Sequence, residues 1–273
     1  MPEPSKLSGY TLLLFGTLSL LLSTFYEHSI LAFIGLGLTF WGALLLYIRS
    51  ENYVKRNLLN STTLPTLTNL NQILTELGYQ GNAIYLPPKY FKDPETSKVF
   101  ISKRKSTNLP TPEEIRQEED KILLKNAEGA LIIPPGLSLS KLFEKTLGTS
   151  FTKVDLEYLQ QNLPKLFIED LEIAENLEIQ TKPSKTAKKI NDSASVIQVK
   201  YNIIHVKITN SVYKDMCKEA RKLPRICGDI GCPICSAIAC SIAKASGKPV
   251  TIEKTESTED AKAIEVYYRI IEE

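Results

Sequence analysis

The stretch Cys227–Val250, CGDIGCPICSAIACSIAKASGKPV, holds four of the chain's five cysteines in its first fourteen residues. Its second half decides the local fold. Ile234, Ile238 and Ile242 recur every four residues among Ala, Ser and Cys, which is the spacing of one apolar helical face. Gly247 and Pro249 then stop the helix in the usual order. Working outward, VYKDMCKEARKL upstream also has helical spacing. SVIQVKYNIIHVKITNS before it is rich in β-branched residues with partial alternation. Downstream, PVTIEKT and AIEVYYRII flank the polar turn ESTEDAK and predict a hairpin. Strand, helix, helix, strand, strand describes an α/β (α+β) unit with helices packed on an antiparallel sheet.

The other end of the chain is different. Leu7–Tyr26 and Ser29–Ile48 are two uncharged runs, separated only by Glu27 and His28. At about 1.5 Å per residue, each twenty-residue helix spans roughly the 30 Å of a bilayer's hydrocarbon. The pair therefore predicts a transmembrane hairpin. A secretory signal needs a basic start, a shorter apolar core and a cleavage site, and would still leave the second run as an anchor. Lys6, Arg49, Lys55 and Arg56 flank the runs and the connecting loop has no Lys or Arg, so the positive-inside rule places both termini in the cytoplasm. Tyr10, Tyr26, Trp41 and Tyr47 suit the membrane interface. Gly35, Gly37 and Gly42 either admit another helix or merely reflect the high Gly content of membrane helices.

These readings divide the chain into a hairpin over 1–50, a cytoplasmic α/β region over 51–180, a polar loop or linker over 181–195, and a C-terminal α/β unit over 196–273. Within 51–180 the leucines of TLPTLTNLNQILTELGYQG predict a helix, NAIYLPP, SKVFISK and EGALIIPPG predict strands, and SLSKLFEKTLG predicts a helix ending at Gly148. PTPEEIRQEEDKILLK reads as a charged helix or linker. In DLEYLQQNLPKLFIEDLEIAENLEI, Pro164 suits the first turn of a second helix. A net charge of +2 gives no field for nucleic acid. No Walker loop, GxGxxG, HExxH or nucleophile elbow is present, and His205, inside a strand pattern, is the single histidine outside the membrane loop.

The cysteines carry the remaining chemistry. In a reducing compartment five cysteines argue for free thiols, metal ligands or redox groups rather than a disulfide framework. Cys227, Cys232 and Cys235 make C-x4-C-x2-C, a spacing that opens some iron–sulfur sites and contains half of many zinc sites. Cys240 lies eight residues past Cys232, roughly 12 Å along a helix, too far to share an ion with it. Cys217 on the preceding helix could fold back as a fourth ligand, with Asp229 and His205 as weaker candidates. The competing reading is that small Cys, Ala and Ser side chains simply let a buried helix lie close to a sheet.

The run VKITNSVYKDMCKEA, then CPICSAIACSIAKASGKPVTIEKTESTED, then IEVYYRI resembles the closing half of 4-vinyl-reductase-like domains and the small subunits of TRAPP tethering complexes. The matching positions are Asn210, Ser211 and Tyr213, Cys232–Gly247, Val250–Thr255 and Ile264–Ile270. The resemblance implies an α/β domain, commonly dimeric, that holds an apolar molecule or acyl chain between sheet and helices. In this chain Ile234, Ile238, Ile242 and the terminal strands would line that pocket. The cysteine pair often found in the final hairpin of those domains is absent, with Thr255 and Glu265 in its region. The hairpin, LPPKY and the IIPPGLSLSKLFEKTLGTSFTK run resemble uncharacterised archaeal membrane proteins. Three readings follow: a membrane-anchored binding or sensing domain for an apolar molecule or lipid, without evident catalysis; a zinc, iron–sulfur or redox protein using the Cys227–Cys235 cluster; or an assembly subunit whose hairpin packs into a membrane complex.

Overall fold

The structure, a computed structural model, describes residues 4–26, 28–47, 56–105, 109–125, 127–183 and 202–272. It forms two compact units, Met1–Lys55 and Arg56–Glu273.

The first unit is a pair of antiparallel helices, α1 (Pro4–Tyr26) and α2 (Ser29–Tyr47). Both are long and apolar enough to cross a membrane. Leu14, Phe15, Leu21, Phe25, Phe33, Leu36 and Phe40 are exposed on them, a surface that water tolerates poorly and lipid accepts. Glycine is used inward. A Cβ on Gly16 would stand 2.5 Å from Thr39 Oγ1, and one on Gly42 would stand 2.7 Å from the Leu13 nitrogen. Ser19 and Ser23 donate across the pair to the carbonyls of Leu31 and His28. Gly35 and Gly42 thus serve the approach of α1 to α2, while Gly37 meets nothing within 4 Å. Tyr10 and Tyr47 sit at the open end and Tyr26 at the loop end, all exposed. Arg49 and Lys55, on which the orientation rests, lie outside the described residues.

The second unit opens with α3 (Arg56–Glu76), which carries Pro65 in its interior and so starts earlier than the leucine spacing indicates. Then follow β1 (Ala83–Leu86), β2 (Lys98–Ser102), α4 (Pro112–Glu118), β3 (Leu123–Leu124), β4 (Gly129–Ile132), α5 (Leu137–Leu147) and α6 (Leu156–Lys165). The chain closes with β5 (Asn176–Pro183), β6 (Asn202–Thr209), α7 (Lys214–Ala220), α8 (Pro233–Ser246), β7 (Val250–Ser257) and β8 (Ala263–Ile270). All eight strands join one antiparallel sheet in the order β3-β4-β2-β1-β7-β8-β6-β5. The stretches expected as separate regions, 51–180 and 196–273, therefore share a sheet, seamed where Ile84 and Tyr85 pair with Thr251 and Val250.

Alternation sets the layers, because successive strand residues face opposite sides. Ala83, Tyr85, Val99 and Ile101 point into the main core with Val206, Ile208, Val266 and Tyr268. Ile84, Leu86, Phe100 and Leu131 point the other way, into a smaller core closed by Tyr90, Phe91 and Ile115. Helix α8 is the centre of the main core, with every residue from Pro233 to Lys244 buried. The stretch Ile226–Ser246 is also long and apolar enough to cross a membrane, but 78% of its window is buried inside this unit. We read it as core.

Three expectations are corrected here. Pro164 lies inside α6, and the helix then widens into a π turn over Leu166–Asp170 instead of restarting. Residues 181–183, expected in a polar loop, complete β5, which pairs along its whole length with β6; the rest of that loop lies outside the described residues. Leu123–Leu124, expected in a charged helix or linker, forms a short edge strand.

Candidate functional site: a buried thiol cluster

The link from α7 to α8 shapes the site. Helix α7 ends near Arg221, and Ile226–Ile230 forms a π turn, a geometry frequent at functional sites. Gly231 follows at φ +80, which a side chain would resist. Cys232 is then the N-cap of α8 and Pro233 its first residue. Several bonds fix this path. Arg225 pairs with Asp229 at 2.6 Å within the turn, and its amide and guanidinium bond Asn71 and the Gly81 carbonyl. Tyr85 donates its hydroxyl to the Ile230 carbonyl, and Tyr268 donates to the Cys235 carbonyl at 3.0 Å. The Gly136 amide donates to Ser236 Oγ at 3.0 Å, a contact that needs glycine: a Cβ there would be 2.1 Å from the Ala237 nitrogen.

This path folds Cys217 back, as the sequence allowed. Its sulfur lies 3.0 Å from that of Cys232, which lies 3.5 Å from that of Cys235. Cys217, Cys227, Cys232 and Cys235 line one cavity of about 20 Å³ together with Arg221 and Thr255. All five cysteines are free thiols, and Cys227 is the more exposed member of the cluster. Cys240 lies elsewhere in the core, fully buried.

The electrostatics divide the thiols. Hydrogen bonding with Cys217 and Cys235 holds the Cys232 thiol well below its ordinary range against the cost of burial, and the backbone N–H groups of Cys235 and Ile234 add to this. The same sharing with Cys232, followed by burial, pushes Cys217 and Cys235 well up. Burial raises Cys227. Cys232 is thus the thiol of the cluster whose ionised form its surroundings favour, at a helix N-terminus that itself favours negative charge. Two further groups are notable. Arg221 Nη2 and Thr255 Oγ1 are buried without a hydrogen-bond partner among the described residues.

Four thiolates around zinc, each about 2.3 Å from the ion, would stand roughly 3.8 Å apart. The Cys217–Cys232 and Cys232–Cys235 separations are shorter, and among the described residues no three His, Cys, Asp or Glu side chains are arranged to hold an ion. Asp229 is engaged with Arg225. His205 Nε2 donates to Glu265 Oε2 at 3.1 Å, and the ring stacks on Tyr267 at 4.6 Å. Ile234, Ile238 and Ile242 are packed in the main core, at 0%, 0% and 3% exposure, and none lines the thiol cavity. The sequence reading missed Arg221, which sits in no motif, and named Thr255 only as standing in the region of an absent cysteine pair; the fold brings both to the cysteines.

A family model for a domain of unknown function, DUF7982, matches residues 5–269. The 4-vinyl-reductase-like and TRAPP resemblance has no counterpart in that match. No curated protein and no solved structure matches the chain. Since the match takes in the apolar pair, the sheet and the thiol cluster alike, the chain belongs to the DUF7982 family.

Proposed function

We propose that this protein is a membrane-anchored thiol redox protein in which Cys232 and Cys217 cycle between dithiol and disulfide. The observation that carries the reading is the buried cluster itself: a hydrogen-bonded Cys232 sulfur at the α8 N-terminus, with a second sulfur at 3.0 Å and a third at 3.5 Å. Reactive cysteines are those whose surroundings favour thiolate. Cys232 is the attacking sulfur, Cys217 closes the disulfide, and Cys235 and Cys227 stand by as alternative partners. The isoleucines of α8 are taken up by packing, so an apolar ligand is not the basis of the proposal.

Location supports it. With α1 and α2 in the bilayer and the basic flanks of the hairpin on the inner side, the sheet unit sits in the cytoplasm. Reduced thiols are the resting state there, and cytosolic disulfides are usually transient.

The test is mild oxidation of the full chain in detergent with diamide, then alkylation, trypsin and mass spectrometry. Cleavage places Cys217 in Asp215–Lys218 and both Cys232 and Cys235 in Ile226–Lys244. A Cys217–Cys232 bond therefore joins two peptides, and a Cys232–Cys235 bond does not. The expected product is the joined pair, reversed by reductant and lost in Cys232→Ser. A folded chain whose cluster stays fully reduced would overturn the reading. So would one zinc per chain, removed only by chelation and protecting all four thiols.

A further inference from the structure

We propose that the oxidant of this site is a small hydroperoxide, taken into the thiol cavity and held there by Arg221 and Thr255. The inference rests on the redox reading above and adds the substrate class and the residues that recognise it.

Size comes first. A cavity needs roughly 10–15 Å³ of this measure to hold one water, so about 20 Å³ admits a molecule of one or two oxygen atoms. A glutathione-sized disulfide does not fit. Polarity comes second. Beside the thiols, Ala220, Arg221, Gly231, Thr255, Ser257 and Ile264 line this cavity, and two of them, Arg221 and Thr255, each carry a buried donor with no hydrogen-bond partner among the described residues. Leaving such donors unsatisfied costs about 1–3 kcal/mol each, more for a charged one, unless something that accepts hydrogen bonds occupies the site. They come from different elements, Arg221 from the end of α7 and Thr255 from β7. The Arg221 charge also acts on Cys217 and Cys227, lowering both thiol pKa values against the larger effects that raise them.

The chemistry balances. The Cys232 sulfur attacks one oxygen of hydrogen peroxide, the O–O bond breaks, and hydroxide leaves and is protonated to water. Cys232 is now a sulfenic acid. The Cys217 sulfur then attacks the Cys232 sulfur, the S–O bond breaks, and a second water departs with the Cys217 proton. Two thiols lose two electrons, the peroxide gains two, and one disulfide and two waters result. The guanidinium stabilises the leaving hydroxide, where charge develops, and the Thr255 hydroxyl orients the peroxide. Preorganised donors of this kind are worth on the order of 10²-fold each in rate.

The experiment uses the full chain in detergent. Hydrogen peroxide is mixed with a Cys217→Ser, Cys227→Ser, Cys235→Ser triple variant, in which no neighbouring thiol resolves the sulfenic acid, and the sample is then quenched and denatured so that dimedone labels Cys232 for mass spectrometry. Thr255→Val and Arg221→Lys, each made in that triple-variant background, are expected to slow sulfenic acid formation roughly ten- to hundredfold while leaving the rate of iodoacetamide alkylation of Cys232 within about twofold. That second rate separates peroxide recognition from thiolate access or a disturbed fold. Equal peroxide rates in all three chains, or peroxide and iodoacetamide rates falling together, would overturn the assignment. If diamide still forms the Cys217–Cys232 bond in the native chain, only the peroxide inference falls. If it does not, the redox reading falls with it.

Discussion

Lys244 offers a sharp test of how the core around α8 is balanced. It sits one turn beyond Cys240 with its side chain 3% exposed, and its ammonium lies 2.7 Å from Glu144 Oε2 on α5, itself 15% exposed. The other carboxylate oxygen accepts from the Phe151 amide at 2.8 Å and from Ser150 Oγ at 3.2 Å. Lys244→Met keeps the volume and leaves a mostly buried carboxylate without its cation, which costs about 3–5 kcal/mol. For a unit the size of Arg56–Glu273, that lowers the melting midpoint by roughly 6–20 °C. Glu144→Gln keeps an acceptor for Phe151 but strands the ammonium, at a similar cost. The double variant strands neither charge, so it should be more stable than the sum of the singles predicts by about 2 kcal/mol or more. Urea unfolding of the full chain in detergent, followed by near-UV circular dichroism, reads all four corners. Additive singles, with coupling under about 0.5 kcal/mol, would refute the idea that the two charges compensate each other.

Other expectations follow from burial and packing. Burial pushes the Cys240 thiol from 9.0 up to about 12, so the folded chain keeps a proton that the unfolded chain releases. Its contribution is intact below about pH 9 and is lost as pH rises towards 12, at up to about 1.4 kcal/mol per pH unit; Cys240→Ala should flatten the alkaline fall of the urea midpoint by that one proton. Tyr85→Phe removes the donor to Ile230 and should cost about 1–2 kcal/mol, while raising the iodoacetamide rate at Cys232 as the turn loosens. Gly16→Leu forces α1 off α2, whereas Gly37→Leu meets open space; the first should lower the aggregation temperature in detergent by several degrees and the second should leave it unchanged.

Elements that carry their own signals were readable from the sequence. The two uncharged runs, the isoleucine stripe of α8 with Gly247 behind it, and the β7–β8 hairpin each announce themselves within twenty residues or so. The antiparallel sheet with packed helices followed from their order. Strand β5 did not, because Leu177 and Ile179 are its single apolar pair among polar residues and its identity comes from pairing with β6 across residues 184–201. Nor did β3, two residues long. The joining of early and late strands is likewise a tertiary event, resting on two residue pairs between β1 and β7. At the site, Cys227, Cys232 and Cys235 stood out by spacing and Cys217 by possible return. The depressed thiol, the cavity and its two unpartnered donors needed the π turn and the β7 bulge between Ile252 and Lys254, neither of which leaves a pattern in the sequence.

The seam between β1 and β7 also governs how the protein can be made. A ribosome delivers the apolar pair first and β1 soon after, yet the partner of β1 emerges some 165 residues later. Until then the edge of β1 has no neighbour on that side, and the β3-β4-β2-β1 half waits as an unfinished sheet. Contacts so distant along the chain slow folding and expose strand edges to neighbouring chains. In the proposed topology, holding each nascent chain at the membrane surface keeps those unfinished edges apart during synthesis.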